Sequence, residues 1–150
     1  MAEFTYNPIQ LVQPNQAVNM IDSIPCNKGY VYHRNESGIV ILKGVVNNQC
    51  SCFARYQVTF NGNIAIPADG EVSPISVSLA IGGEAIQTSK AIYTPAAVDE
   101  YGNVTSTAII TVPKGCCFNV SVENTSDVAA SGIAPAINVQ NANLTVARIA

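Results

Sequence analysis

From Cys52 to Phe60 the chain alternates strictly, with Cys52, Ala54, Tyr56, Val58 and Phe60 set against Phe53, Arg55, Gln57 and Thr59. A period of two marks a strand with one face buried. No stretch offers the competing signal, ten or more residues of 3.6 spacing in good helix formers. The alternation returns in Ile75, Val77, Leu79 and Ile81, against Ser76, Ser78 and Ala80, and runs into Gly82-Gly83, a hairpin turn with Glu84-Ala85-Ile86 returning. Asn61-Gly62-Asn63 reads as the turn closing the first of these strands. Thr107–Val112 ends at Pro113-Lys114-Gly115, and Cys116, Phe118, Val120 and Val122 then alternate with Cys117, Asn119, Ser121 and Glu123, which reads as a second hairpin. A last strand, Ala142–Ile149, reaches almost to the C-terminus. About eight short strands with Gly, Pro and Asn punctuation predict an all-β fold, an antiparallel two-sheet jelly-roll sandwich.

Gly38–Val46 is apolar on both faces, the mark of a strand between two packed layers or in a subunit interface, and Asn47-Asn48 breaks it. Residues 1–28, with Pro8, Pro14, Pro25 and many Asn and Gln, show no sustained period. They read as an extended arm that docks on a neighbour, leaving residues 29–150 as the jelly-roll body.

A length of 150 residues fits one domain, and 48% hydrophobic content supplies a core, which excludes disorder. Charged residues make up only 11%, against about 25% in typical soluble domains. With a net charge of −3 and scattered Lys and Arg, the chain has no phosphate-tracking surface, so nucleic acid is not expected as a partner. No apolar run approaches the roughly 18 residues that cross a bilayer, and Met1-Ala2-Glu3-Phe4 does not open a signal peptide, so no membrane association is expected.

The chemistry-bearing inventory is short. His33 is the one histidine, placed on a strand or its end, where an edge position outweighs a general base. Asp99-Glu100 could offer carboxylates to a hard cation, but no EF-hand pattern surrounds them. No phosphate loop, G-x-S-x-G elbow or H-E-x-x-H occurs, so no enzyme, metal or cofactor is expected. Sequons at Asn35, Asn103, Asn119, Asn124 and Asn143 are assigned no glycan. Five cysteines leave at least one free, or bonded between chains, if the others oxidise. Parity places Cys52 and Cys116 inside the sandwich and Cys117 outside, where a disulfide could reach Cys50 or a neighbouring chain. Small buried thiols in a reducing cytoplasm are the alternative.

The order of pieces, Ile66-Pro67-Ala68-Asp69-Gly70, then "VSLAIGGEAI" (77–86), "STAIITVPKG" (106–115), "VSVENTS" (120–126) and "ANLTVARIA" (142–150), resembles the C1q/TNF-like jelly roll. It looks most like bacterial exosporium collagen-like C-terminal domains and small phage virion proteins of the head-fibre or decoration type. The likeness spans about residues 30–150 and lacks the Gly-X-Y collagen stalk of the exosporium proteins. It implies a non-enzymatic, homotrimeric virion protein, made in the host cytoplasm and anchored to a capsid or neighbouring lattice subunits by residues 1–28. Candidate interface residues are Tyr30, Tyr32, Ile39, Val40, Ile41, Leu42, Phe53 and Tyr56. A receptor- or glycan-binding tip is the second reading, with Tyr93, Asp99, Glu100 and Tyr101 as its group. A bacterial surface-layer or spore-coat subunit is the third.

Overall fold

The computed structural model describes residues 1–25, 29–45, 50 and 52–150, so Cys26, Val46 and the Asn47-Asn48 break lie outside the described residues. The strands are β1 (Ala2–Tyr6), β2 (Gln10–Val12), β3 (Ile21–Ile24), β4 (Val31–His33), β5 (Val40–Lys43), β6 (Phe53–Ala65), β7 (Ile75–Ile81), β8 (Glu84–Ala85), β9 (Ala91–Tyr93), β10 (Gly102–Pro113), β11 (Cys117–Asn124) and β12 (Ile137–Arg148). They form two six-stranded sheets. The first runs β10-β6-β12-β1-β3, with β2 also on β12; the second runs β4-β5-β11-β7-β8, with β9 also on β7. Each pairing is antiparallel.

Between the sheets lies one core. Ala54, Tyr56, Val58 and Phe60 of β6, Leu144 and Val146 of β12 and Ile110 and Val112 of β10 meet Val40, Leu42, Val77, Leu79, Val120 and Val122 of the second sheet. Burying a side chain of this size stabilises by about 1.5–3 kcal/mol. The Tyr56 hydroxyl, carried into this core, donates to the Lys43 carbonyl at 2.5 Å.

The described part of the expected arm, residues 1–25, does not stand free of the body. β1 pairs with β12 from Ala2↔Val146 to Tyr6↔Ala142, and Ala2, Phe4, Val12, Val18 and Met20 are all core residues. After β2 the chain crosses to the second sheet, where Val18 N donates to Val122 O (2.8 Å) and Asn124 N to Gln16 O (3.1 Å). It then returns to the first sheet as β3 beside β1. The segment up to residue 25 is therefore built into the sandwich, and the expected division between an arm and a body does not fall within it. Each inward run here is too short to establish a period, which is why the sequence reads as irregular. Gly38 meets the crossing closely: a Cβ there would lie 2.6 Å from Ala17 Cβ and 2.9 Å from Val18 O.

Two turn assignments also change. Asn61-Gly62-Asn63 is not a turn but the middle of β6, hydrogen-bonded to β10 and β12 on its two sides. Gly62 is there for close approach, because a Cβ would stand 2.8 Å from Phe60 Cζ. Pro113-Lys114-Gly115 joins no hairpin: β10 lies in the first sheet and β11 in the second, and Gly115 at φ 75° carries the chain across. Gly82-Gly83 is the expected hairpin turn, with φ 60° and 83° and Ile81 opposite Glu84. Short strands that no periodicity could reveal raise the expected eight to the twelve found among the described residues.

Two outcomes test the lacing. Phe4→Ala should cost about 3–5 kcal/mol in urea unfolding, the usual range for truncating a buried aromatic. Removal of residues 1–24 should abolish the near-UV circular dichroism of the folded state; a truncated chain that keeps it and unfolds cooperatively would contradict the placement of β1–β3.

Candidate functional site

The three long neighbours β10, β6 and β12, with the short β1 beside them, expose a field of mostly uncharged polar side chains. Register aligns them into rows: Glu3, Thr145, Thr59 and Thr107 in one, Thr5, Asn143, Asn61 and Thr105 in the next. The rows bond to themselves. Thr59 Oγ1 and Thr107 Oγ1 lie 3.0 Å apart, Asn103 Nδ2 donates to Asn61 Oδ1 (2.7 Å) and Asn63 Oδ1 (3.1 Å), and Asn63 Nδ2 donates to Asn141 Oδ1 (3.3 Å). Charge appears only at the margins of these rows, on Glu3 and on Arg55, whose guanidinium sits 4.5 Å from the Phe53 ring centroid. Ile109, 63% exposed, adds apolar surface opposite Gln57.

The other layer carries a shallow groove of about 300 Å³ floored by Ser121 and Glu123 of β11. Glu123 is 8% exposed and bridges Ala17 of the crossing segment. Burial holds its carboxyl above the ordinary value of 4.5, and the hydrogen bond from Ser121 Oγ (3.3 Å) partly opposes that.

The expected interface set divides in two. Val40, Leu42 and Tyr56 are buried inside their own chain and offer nothing to a partner, because their strands direct them between the sheets. On the outside, Tyr32 is 55% and Ile39 49% exposed, with Ile41 half-buried beside Tyr32. Phe53 is also exposed, at the end of the polar field, and Tyr30 is half-buried with the Arg148 guanidinium 4.4 Å from its ring centroid.

The expected tip comes together in part. The Tyr93 hydroxyl donates to Glu100 Oε1 (3.4 Å), and its proton is held more tightly than usual, first by desolvation and then by the Glu100 charge and hydrogen bond. Asp99 turns at φ 57° with its N–H on Ile66 O (2.8 Å), and Tyr101 is half-buried.

His33 lies on an edge strand, but its side chain is only 1% exposed. Its Nδ1 faces Asp22 Oδ1 at 2.5 Å, and its Nε2 donates to the Ser37 carbonyl at 2.9 Å. The ring packs 4.5 Å from that of Phe4, so β4 is tied to β3 across the seam of the sandwich. Both nitrogens are thus committed to structural contacts.

Cys52 and Cys116 do not point into the sandwich. Cys52 precedes β6 and Cys116 sits in the crossing before β11, where parity no longer carries a side chain under the other sheet, so both are exposed, as are Cys50 and Cys117. Cys52, Cys116 and Cys117 are free thiols. Among the described residues, no group of three or more His, Cys, Asp or Glu is placed to hold a metal.

Two antiparallel sheets enclosing one core, with consecutive long strands passed from sheet to sheet, define a jelly-roll sandwich. Among solved structures, the globular domain of zebrafish complement 1qA matches with a TM-score of 0.59 at 15% identity over 97% of this chain and 94% of that one. Murine APRIL at pH 5.0 matches with 0.49 at 11% identity over 96% and 98%. The fold is C1q/TNF-like. No protein-family model and no curated protein matches the chain in sequence.

Because the folded state holds the Glu123 proton more tightly than the unfolded chain does, it binds more protons above pH 4.5, and stability falls as pH rises through that window. Glu123→Gln should therefore match wild type at acid pH and surpass it progressively as pH rises toward neutrality, read by thermal melts across a pH series. For the thiols, Cys116 and Cys117 should both react with iodoacetamide in the native protein, as mapped by peptide mass spectrometry. Protection of either one contradicts its exposure.

Proposed function

We propose that the chain is a non-enzymatic structural protein of a virion, a jelly roll that assembles as a homotrimer and decorates a capsid. The observation that carries self-association is the outer face of the first sheet, whose charge is confined to Glu3 and Arg55 at its margins. Covering a polar surface is costly when its donors and acceptors must give up water without replacement. Here the hydroxyls and amides of Thr59, Thr107, Asn61, Asn63 and Asn103 already bond to one another, which lowers that cost. Phe53, Ile109 and Ile149 supply exposed apolar area on or beside this face. The C1q/TNF-like fold agrees with a homotrimer as the resemblance implies it, and the order of sequence pieces shared with small phage proteins supports the virion assignment. A structural role also accords with the one histidine being committed to the β3–β4 seam.

With β1, β2 and β3 paired into the first sheet, the reading places capsid attachment on the folded surface of the domain.

Sedimentation equilibrium of the purified protein should give three times the chain mass. Thr105→Lys with Ile109→Lys, at exposed strand positions where monomer stability changes by no more than about 0.5 kcal/mol each, should yield folded monomers. A wild-type monomer at micromolar concentration would refute the trimer, and absence of the chain from purified parent virions, by mass spectrometry, would refute the virion role.

A further inference from the structure

The groove on the second sheet lies on the layer opposite the self-association face, and its chemistry is different. Glu123 is the one titratable side chain lining it. The residue is 8% exposed, and among the described residues its hydrogen-bond donor is Ser121 Oγ at 3.3 Å, a long bond for a charged acceptor. The ion pairs of the described residues are His33–Asp22 and Lys90–Asp127, so among the described residues Glu123 has no cation beside it. A buried carboxylate with one weak donor is a costly feature for a fold to keep. Ile39 and Ala17 give the same groove aliphatic lining, and Asn119 adds an amide.

We propose that this groove receives a lysine side chain of a partner protein, with the ammonium on Glu123 and the methylene stem along Ile39 and Ala17. The charge, shape and lining each favour this occupant. An ammonium is a compact point charge on an apolar stem and needs no bidentate partner. A guanidinium fork would require both carboxylate oxygens in line, and one already accepts from Ser121. No aromatic ring lines the groove to stack on a sugar. Ser121 on the same strand, Ser78 in register on β7, and Ala17 and Ile39 alongside carry no titratable group, so binding should follow the ionisation of Glu123 alone and weaken as the pH falls.

The experiment is an amide chemical-shift titration of the whole protein with Nα-acetyl-lysine methylamide. Its neutral isostere, Nα-acetyl-norleucine methylamide, is run in parallel. Saturable shifts are expected at Asn119, Ser121, Glu123 and the Gly82-Gly83 turn, with dissociation in the millimolar range, about what a single side chain supports. Glu123→Gln, which keeps shape and removes a buried charge, should weaken lysine binding at least tenfold. Equal binding of norleucine, absence of saturable shifts in wild type, or unchanged affinity in Glu123→Gln would each overturn the proposal. The norleucine comparison decides on wild-type protein even where the variant misfolds. Because the polar field is on the other sheet, oligomeric state is read separately, and loss of one property leaves the other testable.

Discussion

Strand β12 is hydrogen-bonded along both edges, to β6 on one side and to β1 and β2 on the other. The rest of the sandwich depends on that position, because it makes the last strand of the chain the centre of the first sheet and gives the first strand its seat. Without β12, β1 has no central neighbour and β3 no path back to the sheet. Contacts of such long sequence separation form only after large loops close, which places folding toward the slow end for a domain of this size.

The N-terminal segment secures the two layers to each other. It is a strand in the first sheet, an adjunct to β11 in the second, and a strand in the first again. Asn124, buried at the end of β11, donates to the carbonyls of Val12 (3.1 Å) and Pro135 (2.9 Å) and so fastens both the crossing and the loop that leads to β12. His33 completes the closure from the other side by joining β4 to Asp22 of β3. Polar side chains in this protein are thus used as fasteners between layers, while the outer face of the first sheet carries rows of uncharged Thr and Asn.

The strongly periodic strands were legible because alternation depends on local sequence alone. Ala54 to Phe60 and Ile75 to Leu79 face the core as their spacing requires, and Gly82-Gly83 turns as two glycines do. The N-terminal strands were not legible, since Ala2 and Phe4 make a single pair of inward positions and the polar residues between Val12 and Met20 hide a crossing. Asn61-Gly62-Asn63 carries a hairpin signal that the long neighbours β10 and β12 override by pairing through it. For the candidate site, outward Thr and Asn could be assigned one strand at a time, but their rows arise only from cross-strand register.

Sequence by itself determined the class of the fold, the inward positions of the long strands and the near absence of charge, because each follows from the period and identity of neighbouring residues. Only the tertiary structure decided that residues 2–24 belong to the sandwich, that Cys52 and Cys116 lie outside it, and that Val40 and Leu42 face the core while Ile39 is exposed. Whether a side chain is covered depends on what stands across from it, and in a jelly roll that neighbour comes from a distant part of the chain, brought there by the passage of strands between two sheets. Glu123 shows the same reason in one residue: its alternation marks it as outward, and the adjacent Ala17, more than a hundred positions earlier in the chain, turns that exposed site into the floor of a groove.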